Sequence, residues 1–282
     1  MIQSQKVQWI LRIAIAMCFI GHGSFGIITK QIWCNYFAVA GIGQTTAYQW
    51  MPVIGTIDIL MGIIMLVYPI RAIPVWLVIW GLFTALLRPL SGEPFAEFVE
   101  RAGNFGAPLA MLFLAGFPKN NREMFQRMDA ATIQPDEQAQ TRLRICLRIV
   151  VFLLLLGHGW LNLIEKKGLL NQYSSLGFSN PDGIAQIVGI AEIIAAFFIL
   201  IKPVRQFLFI VFIWKMASEL LYPHYGLLEW IERGGSYGSL MALWLITNSR
   251  SASLGGSRSG PQSGRDRAGL GMVPVTSLSF TA

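Results

Sequence analysis

Two of the chain's three histidines, His22 and His158, stand in the same tripeptide, Gly-His-Gly, inside otherwise apolar runs. Two carboxylates, Asp58 and Glu192, interrupt later apolar runs in the same way. A hydrogen bond between imidazole and carboxylate would satisfy both partners and fix the ring tautomer. Further charge comes from Arg88 and Glu219 and from two Glu-x-x-Glu-Arg stretches. These place Glu97, Glu100 and Arg101, and Glu229, Glu232 and Arg233, at i, i+3 and i+4 on one helical face. Such groups can hold a ligand or pass a proton. The two histidines can also ligate a haem from both sides, or bind a quinone head group with Asp58 and Glu192 behind them.

The elements that position these groups must lie in a membrane. Hydrophobic residues make up 54% of the 282-residue chain and charged ones only 13%, against roughly 25% charged in soluble domains. The formal net charge is +7, but the basic residues fall between apolar runs and in a polar tail. No nucleic-acid face is built from them. Neither a phosphate-binding glycine loop nor a nucleophile elbow nor a HExxH helix is present. Cys18, Cys34 and Cys146 have no CxxC spacing, which excludes a thioredoxin-like centre and a cysteine zinc site.

A spanning helix needs about 20 mostly apolar residues. The sequence predicts spans near 9–29, 51–69, 72–90 and 100–117, then near 145–165, 183–201, 204–222 and 228–247. The first of these is expected to be a span and not a cleaved leader, because it has a full-length counterpart later in the chain. LRIAIAMCFIGHG matches LRIVVFLLLLGHG with His158 following His22 by 136 residues. GTIDILMGIIMLVYPIR matches GIAEIIAAFFILIKPVR at an offset of 134, and EFVERAGNFG matches EWIERGGSYG at 132. The pattern is that of an internal duplication. Four spans per copy is an even number, so the expected fold is all-α, a polytopic membrane protein of eight transmembrane helices in two parallel four-helix repeats. Residues 1–117 form the first repeat, 118–144 a cytoplasmic linker, 145–248 the second repeat and 249–282 a disordered Gly/Ser/Arg tail. The distribution of Lys and Arg puts both termini in the cytoplasm.

On this topology His22 lies roughly 10 Å below the outer boundary, and Asp58 reaches the same depth from the next helix. A charge at the bilayer centre costs at least about 2.5–3.5 kcal/mol, so these groups must pair, face water or be buried among helices. Gly21, Gly23 and Gly55, with Gly157, Gly159 and Gly189, let the first and second spans of each copy approach closely. The bland alternatives are that the His–carboxylate pairs are interhelical glue and that the Glu-x-x-Glu-Arg pieces are interfacial helices with charges in the headgroups. Arg88, beside Pro89, reads as snorkelling outward, and His224 as a solvated turn residue.

An arginine opening the first span, a glycine-bounded polar residue as in GHGSFG and GHGWLNL, and an acid in a small-residue-rich second span ending in Pro-x-Arg resemble the DoxX-like membrane proteins. The resemblance covers residues 11 to 117 and 147 to 247, two fused units. It implies four-helix units like those of subunits associated with thiosulfate or methylamine oxidation and, more distantly, of cargo receptors. The functional expectation is therefore a redox-associated or accessory protein of the bacterial inner (plasma) membrane, with the lipid bilayer and a redox partner subunit as partners. Haem or quinone are the cofactors to consider. A proton-coupled small-solute transporter and a non-catalytic scaffold or cargo-binding protein are the alternatives. The site expected is His22, Asp58, His158, Glu192, Arg88, Glu219, Glu100, Arg101, Glu232 and Arg233.

Overall fold

A computed structural model describes residues 3–223 and 226–247. His224 and the 249–282 tail lie outside the described residues. Within them the chain is helical, with one isolated β-bridge between Ile70 and Arg127. The helices are α1 (Gln3–Ile27), α2 (Trp33–Val39), α3 (Gln44–Val67), α4 (Ala72–Leu90), α5 (Phe95–Glu100), α6 (Ala102–Ala115), α7 (Asn121–Met124), α8 (Glu137–Leu163), α9 (Lys167–Ser175), α10 (Pro181–Ile201), α11 (Arg205–Leu220), α12 (Gly226–Glu232) and α13 (Gly234–Thr247).

Five of these, α1, α3, α4, α8 and α10, are long and apolar enough to cross a membrane. The other three predicted spans come out differently. The 100–117 and 228–247 stretches are not continuous helices: Arg101 and Arg233 interrupt them, leaving α6 and α13 with 14 residues each. Helix α11 has 16. The interruption has a local cause. Arg101 bonds through its N–H to Phe98 O at 3.2 Å, a tight i to i+3 turn, and its guanidinium is held by the carboxylates of the preceding turn. The linker also shortens, because Asp136 caps α8 by accepting from Ala139 N at 2.6 Å and so starts that helix ahead of residue 145.

Helices α1 and α8 are central, each with 61% of its apolar window buried, whereas α3, α4 and α10 lie outside at 28%. The outer faces are apolar: Leu60, Val67, Ile79, Ile187, Ile194 and Ile201 are all at least half exposed. That surface suits lipid. Helix α1 packs on α3 and α8 on α10 through glycine. A methyl group placed on Gly23 would lie 2.4 Å from Gly55 O, and one on Gly159 would lie 2.8 Å from Gly189 O. At the far end of each pair an arginine secures carbonyls left open by the last turn of the neighbouring helix. Arg12 donates to Met65 O at 3.2 Å and to Leu66 O, and Arg148 to Leu200 O and to Ile201 O at 3.0 Å. The linker returns beneath this core, with Gln8 Nε2 donating to Met128 O at 2.9 Å.

The two halves of the chain interlock crosswise. Helix α1 lies against α12 and α13, and α8 against α5 and α6. A methyl group on Gly21 would strike Glu232 N at 2.3 Å, and one on the matching Gly157 would strike Glu100 N at 2.2 Å. Gly103 and Gly235 also meet each other.

Candidate functional site

Close α1–α3 packing brings His22 to Asp58, with His22 Nδ1 2.8 Å from Asp58 Oδ2. Asp58 is buried and the His22 ring half-faces a cavity, its side chain 15% exposed. The ring lies beside Trp33, centroids 4.8 Å apart. The α8–α10 packing repeats the arrangement, joining His158 Nδ1 to Glu192 Oε2. This second pair is enclosed. Trp214 Nε1 donates to Glu192 Oε1 at 2.9 Å, Asn162 Nδ2 donates to His158 O at 3.0 Å, and Tyr173 OH donates to Asn162 Oδ1 at 2.6 Å.

Between the pairs runs a layer of buried charge. Arg101 binds Glu100 at 2.7 Å and Glu97 at 3.4 Å. Arg233 binds Glu100 across the two halves of the chain and lies 3.9 Å from Glu219, which Lys215 meets at 3.1 Å. Lys30 binds Glu229 at 2.6 Å, and Lys166 binds Glu97. Glu97, Glu100, Glu229 and Glu232 are all buried, so the two short helices do not lay their charges in headgroups. Arg88 likewise does not snorkel: Glu93 at 3.0 Å and Glu97 at 3.4 Å hold it inward, and Tyr36 donates to the other oxygen of Glu93 at 2.5 Å.

Oxygen or nitrogen atoms of Glu100, His158 and Glu219 lie within 4.8 Å of one another, a spacing a metal ion can use. Both carboxylates already face cations, Glu100 facing Arg101 and Arg233, and Glu219 facing Lys215. An incoming divalent ion would have to displace them.

The sites differ most in open space. Between α2 and α4, with His22 of α1 and Asn104 of α6 at its inner side, lies a cavity of about 200 Å³. Trp33, Tyr36, Phe37, Trp80 and Phe83 form its aromatic wall, and His22, Thr84, Arg88, Arg101 and Asn104 its polar positions. A haem shared by the two imidazoles does not fit these surroundings. The cavity touches His22 and not His158, is smaller than the ~300–1,000 Å³ of ordinary cofactor pockets, and the carboxylates of Glu192, Glu100 and Glu219 crowd the His158 ring. A single quinone ring fits in volume and in the polarity of its walls.

Of the residues expected at a site, His22, Arg88 and Arg101 border the cavity, with Asp58 bonded to His22. His158, Glu192, Glu219, Glu100 and Arg233 belong to the closed charge network. Glu232 is buried where α12 meets Gly21. Sequence reasoning missed Lys215, Trp214, Asn162 and Tyr173. A signal existed for Lys215, a lone cation inside the apolar run FLFIVFIWKM. Comparison of the chain with protein-family models, with curated proteins and with solved structures finds no match.

Proposed function

We propose that this is an integral membrane protein of DoxX-like type with a redox-associated or accessory role, binding a quinone-sized ring in the His22 cavity. The single observation carrying this reading is the cavity itself: aromatic walls, a polar end at His22 and Arg88, and a gap beside α4, whose outer face is apolar. A ligand dissolved in the bilayer can enter such a gap sideways. On this reading the chain crosses eight times, with α5–α6 and α12–α13 each serving as one interrupted span and α11 as a short one. The two four-helix units are parallel, and both termini face the cytoplasm of a bacterial inner membrane. The matched crosswise contacts, Lys30 with Glu229 and Lys166 with Glu97, support the parallel arrangement.

The geometry gives the two copies different work. His22 hydrogen-bonds through Nδ1 to Asp58, which orients the ring at the mouth of the cavity. His158 and Glu192 are buried and held by each other and by Trp214, and we read them as interhelical glue. The test is binding of tetramethylbenzoquinone to the full chain in lipid nanodiscs, followed by tryptophan fluorescence. Saturable quenching is expected, since Trp33 and Trp80 line the cavity. Thr84→Phe, which fills the cavity, should weaken binding at least tenfold. Quenching that never saturates, or that is the same in the variant, would contradict the reading.

A further inference from the structure

The Asp58–His22 pair presents only one of its members to the cavity. His22 lines it and Asp58 does not, and Asp58 Oδ1 is sealed from water. Asp58 Oδ2 lies 2.8 Å from His22 Nδ1. A carboxylate has lone pairs only, so the hydrogen of that bond sits on Nδ1. In the neutral ring the other nitrogen, Nε2, then carries a lone pair and no hydrogen. Nε2 lies across the ring from Asp58 and has no hydrogen-bond partner among the described residues. Unlike Asp58 Oδ1 and Trp80 Nε1, it keeps contact with accessible space. Trp33, itself on the cavity wall, lies along the ring at 4.8 Å between centroids and limits its rotation.

Most of the remaining polar wall serves ligand oxygens. Arg88 and Arg101 are donors with no lone pair to offer. Tyr36 gives its hydrogen to Glu93 at 2.5 Å, and Thr84 gives its own to Gly81 O at 3.3 Å. Among the described residues no carboxylate lines the cavity. The groups able to receive a ligand hydrogen are therefore His22 Nε2, the Asn104 amide and the Thr84 oxygen, and of these only His22 has its tautomer set by a buried partner. We propose that Asp58 is a positioning residue that sets the hydrogen-bonding sense of the site without touching the ligand. By keeping the ring hydrogen on Nδ1 it makes Nε2 an acceptor, so the cavity favours a ring bearing a hydroxyl over the same ring bearing a ketone. A phenol or hydroquinone head group gives its hydrogen to Nε2, whereas a quinone carbonyl sets lone pair against lone pair. Such a ring fits, since an engineered apolar cavity of about 150 Å³ holds benzene and this one measures about 200 Å³. The proposal rests on the cavity being a ligand site and adds which residue decides the form of the ring that it holds.

The experiment measures binding of tetramethylhydroquinone and tetramethylbenzoquinone, two probes of nearly one shape, to the full chain in nanodiscs under argon. The affinity ratio is compared between variants, where the unequal partition of the probes into lipid cancels. Asp58→Asn keeps the size of the side chain, but its amide can donate to Nδ1 and so move the ring hydrogen to Nε2, as the same exchange does in catalytic triads. The ratio should shift at least tenfold toward the quinone. Thr84→Phe, which fills the cavity, should weaken both probes alike. NMR of isotopically labelled histidine in the natural chain carries the test should Asp58→Asn fold poorly, with the His22 signals assigned by their loss in His22→Gln. It should show a hydrogen on Nδ1, none on Nε2, and a shift of the Nε2 signal when the hydroquinone is added. A hydrogen on Nε2, or a ratio unchanged by Asp58→Asn with both probes bound, would overturn the role of Asp58 and leave the cavity reading standing. Binding of neither probe would overturn both.

Discussion

Alanine at Glu100 is expected to destabilise the protein by about 3–5 kcal/mol, the cost of breaking a buried ion pair on one side. Glu100 is 4% exposed and holds Arg101 at 2.7 Å and Arg233 across the copies. Its removal leaves two largely buried guanidinium groups each one carboxylate short. Arg233→Ala should cost a similar amount. The double variant should cost less than the sum by at least about 1 kcal/mol, because the second truncation removes a charge that the first had stranded. Glu137→Ala, on the exposed first turn of α8, is the control, with an effect near 0.5 kcal/mol. Denaturant melts of the four variants in detergent give all the numbers. Purely additive losses would mean that Glu100 and Arg233 do not act together.

The second large effect is expected at Gly157. A methyl group there would lie 2.2 Å from Glu100 N and 2.5 Å from its Cα. These are backbone atoms, so no rotamer change relieves the clash, and α8 must move off α5. Gly157→Val should therefore cost about 3 kcal/mol or more, at or beyond the upper end of ordinary overpacking. Gly43→Ala meets nothing within 4 Å and should be neutral. A well-folded Gly157→Val protein of wild-type stability would show that the crosswise contact is not tight.

How much of this could be read from the sequence depends on what each feature requires. The His–carboxylate partnerships were legible because glycine spacing and equal depth are properties of the individual helices. Crosswise assembly was not: aligning His22 with His158 does not say whether α5 or α12 packs against each helix. The breaks at Arg101 and Arg233 escaped a hydropathy reading, which treats one charge in an apolar window as tolerated and carries no information about backbone turns. Arg88 was misjudged because outward snorkelling is the cheap course for an arginine without partners, and its partners Glu93 and Glu97 belong to the following loop and helix.

The functional account stands on the two copies having the same sense in the bilayer, which puts α2 and α9 on one outer face. Cys34 on α2 is partly exposed, whereas Cys18 and Cys146 are buried. The direct measurement is labelling by a membrane-impermeant maleimide in right-side-out vesicles, of Cys34 in the natural chain and of Ser174→Cys in a Cys34→Ser background. Both sites should be labelled from outside without permeabilisation. Labelling of one from outside and of the other only after the vesicles are opened would mean inverted copies and would contradict the account.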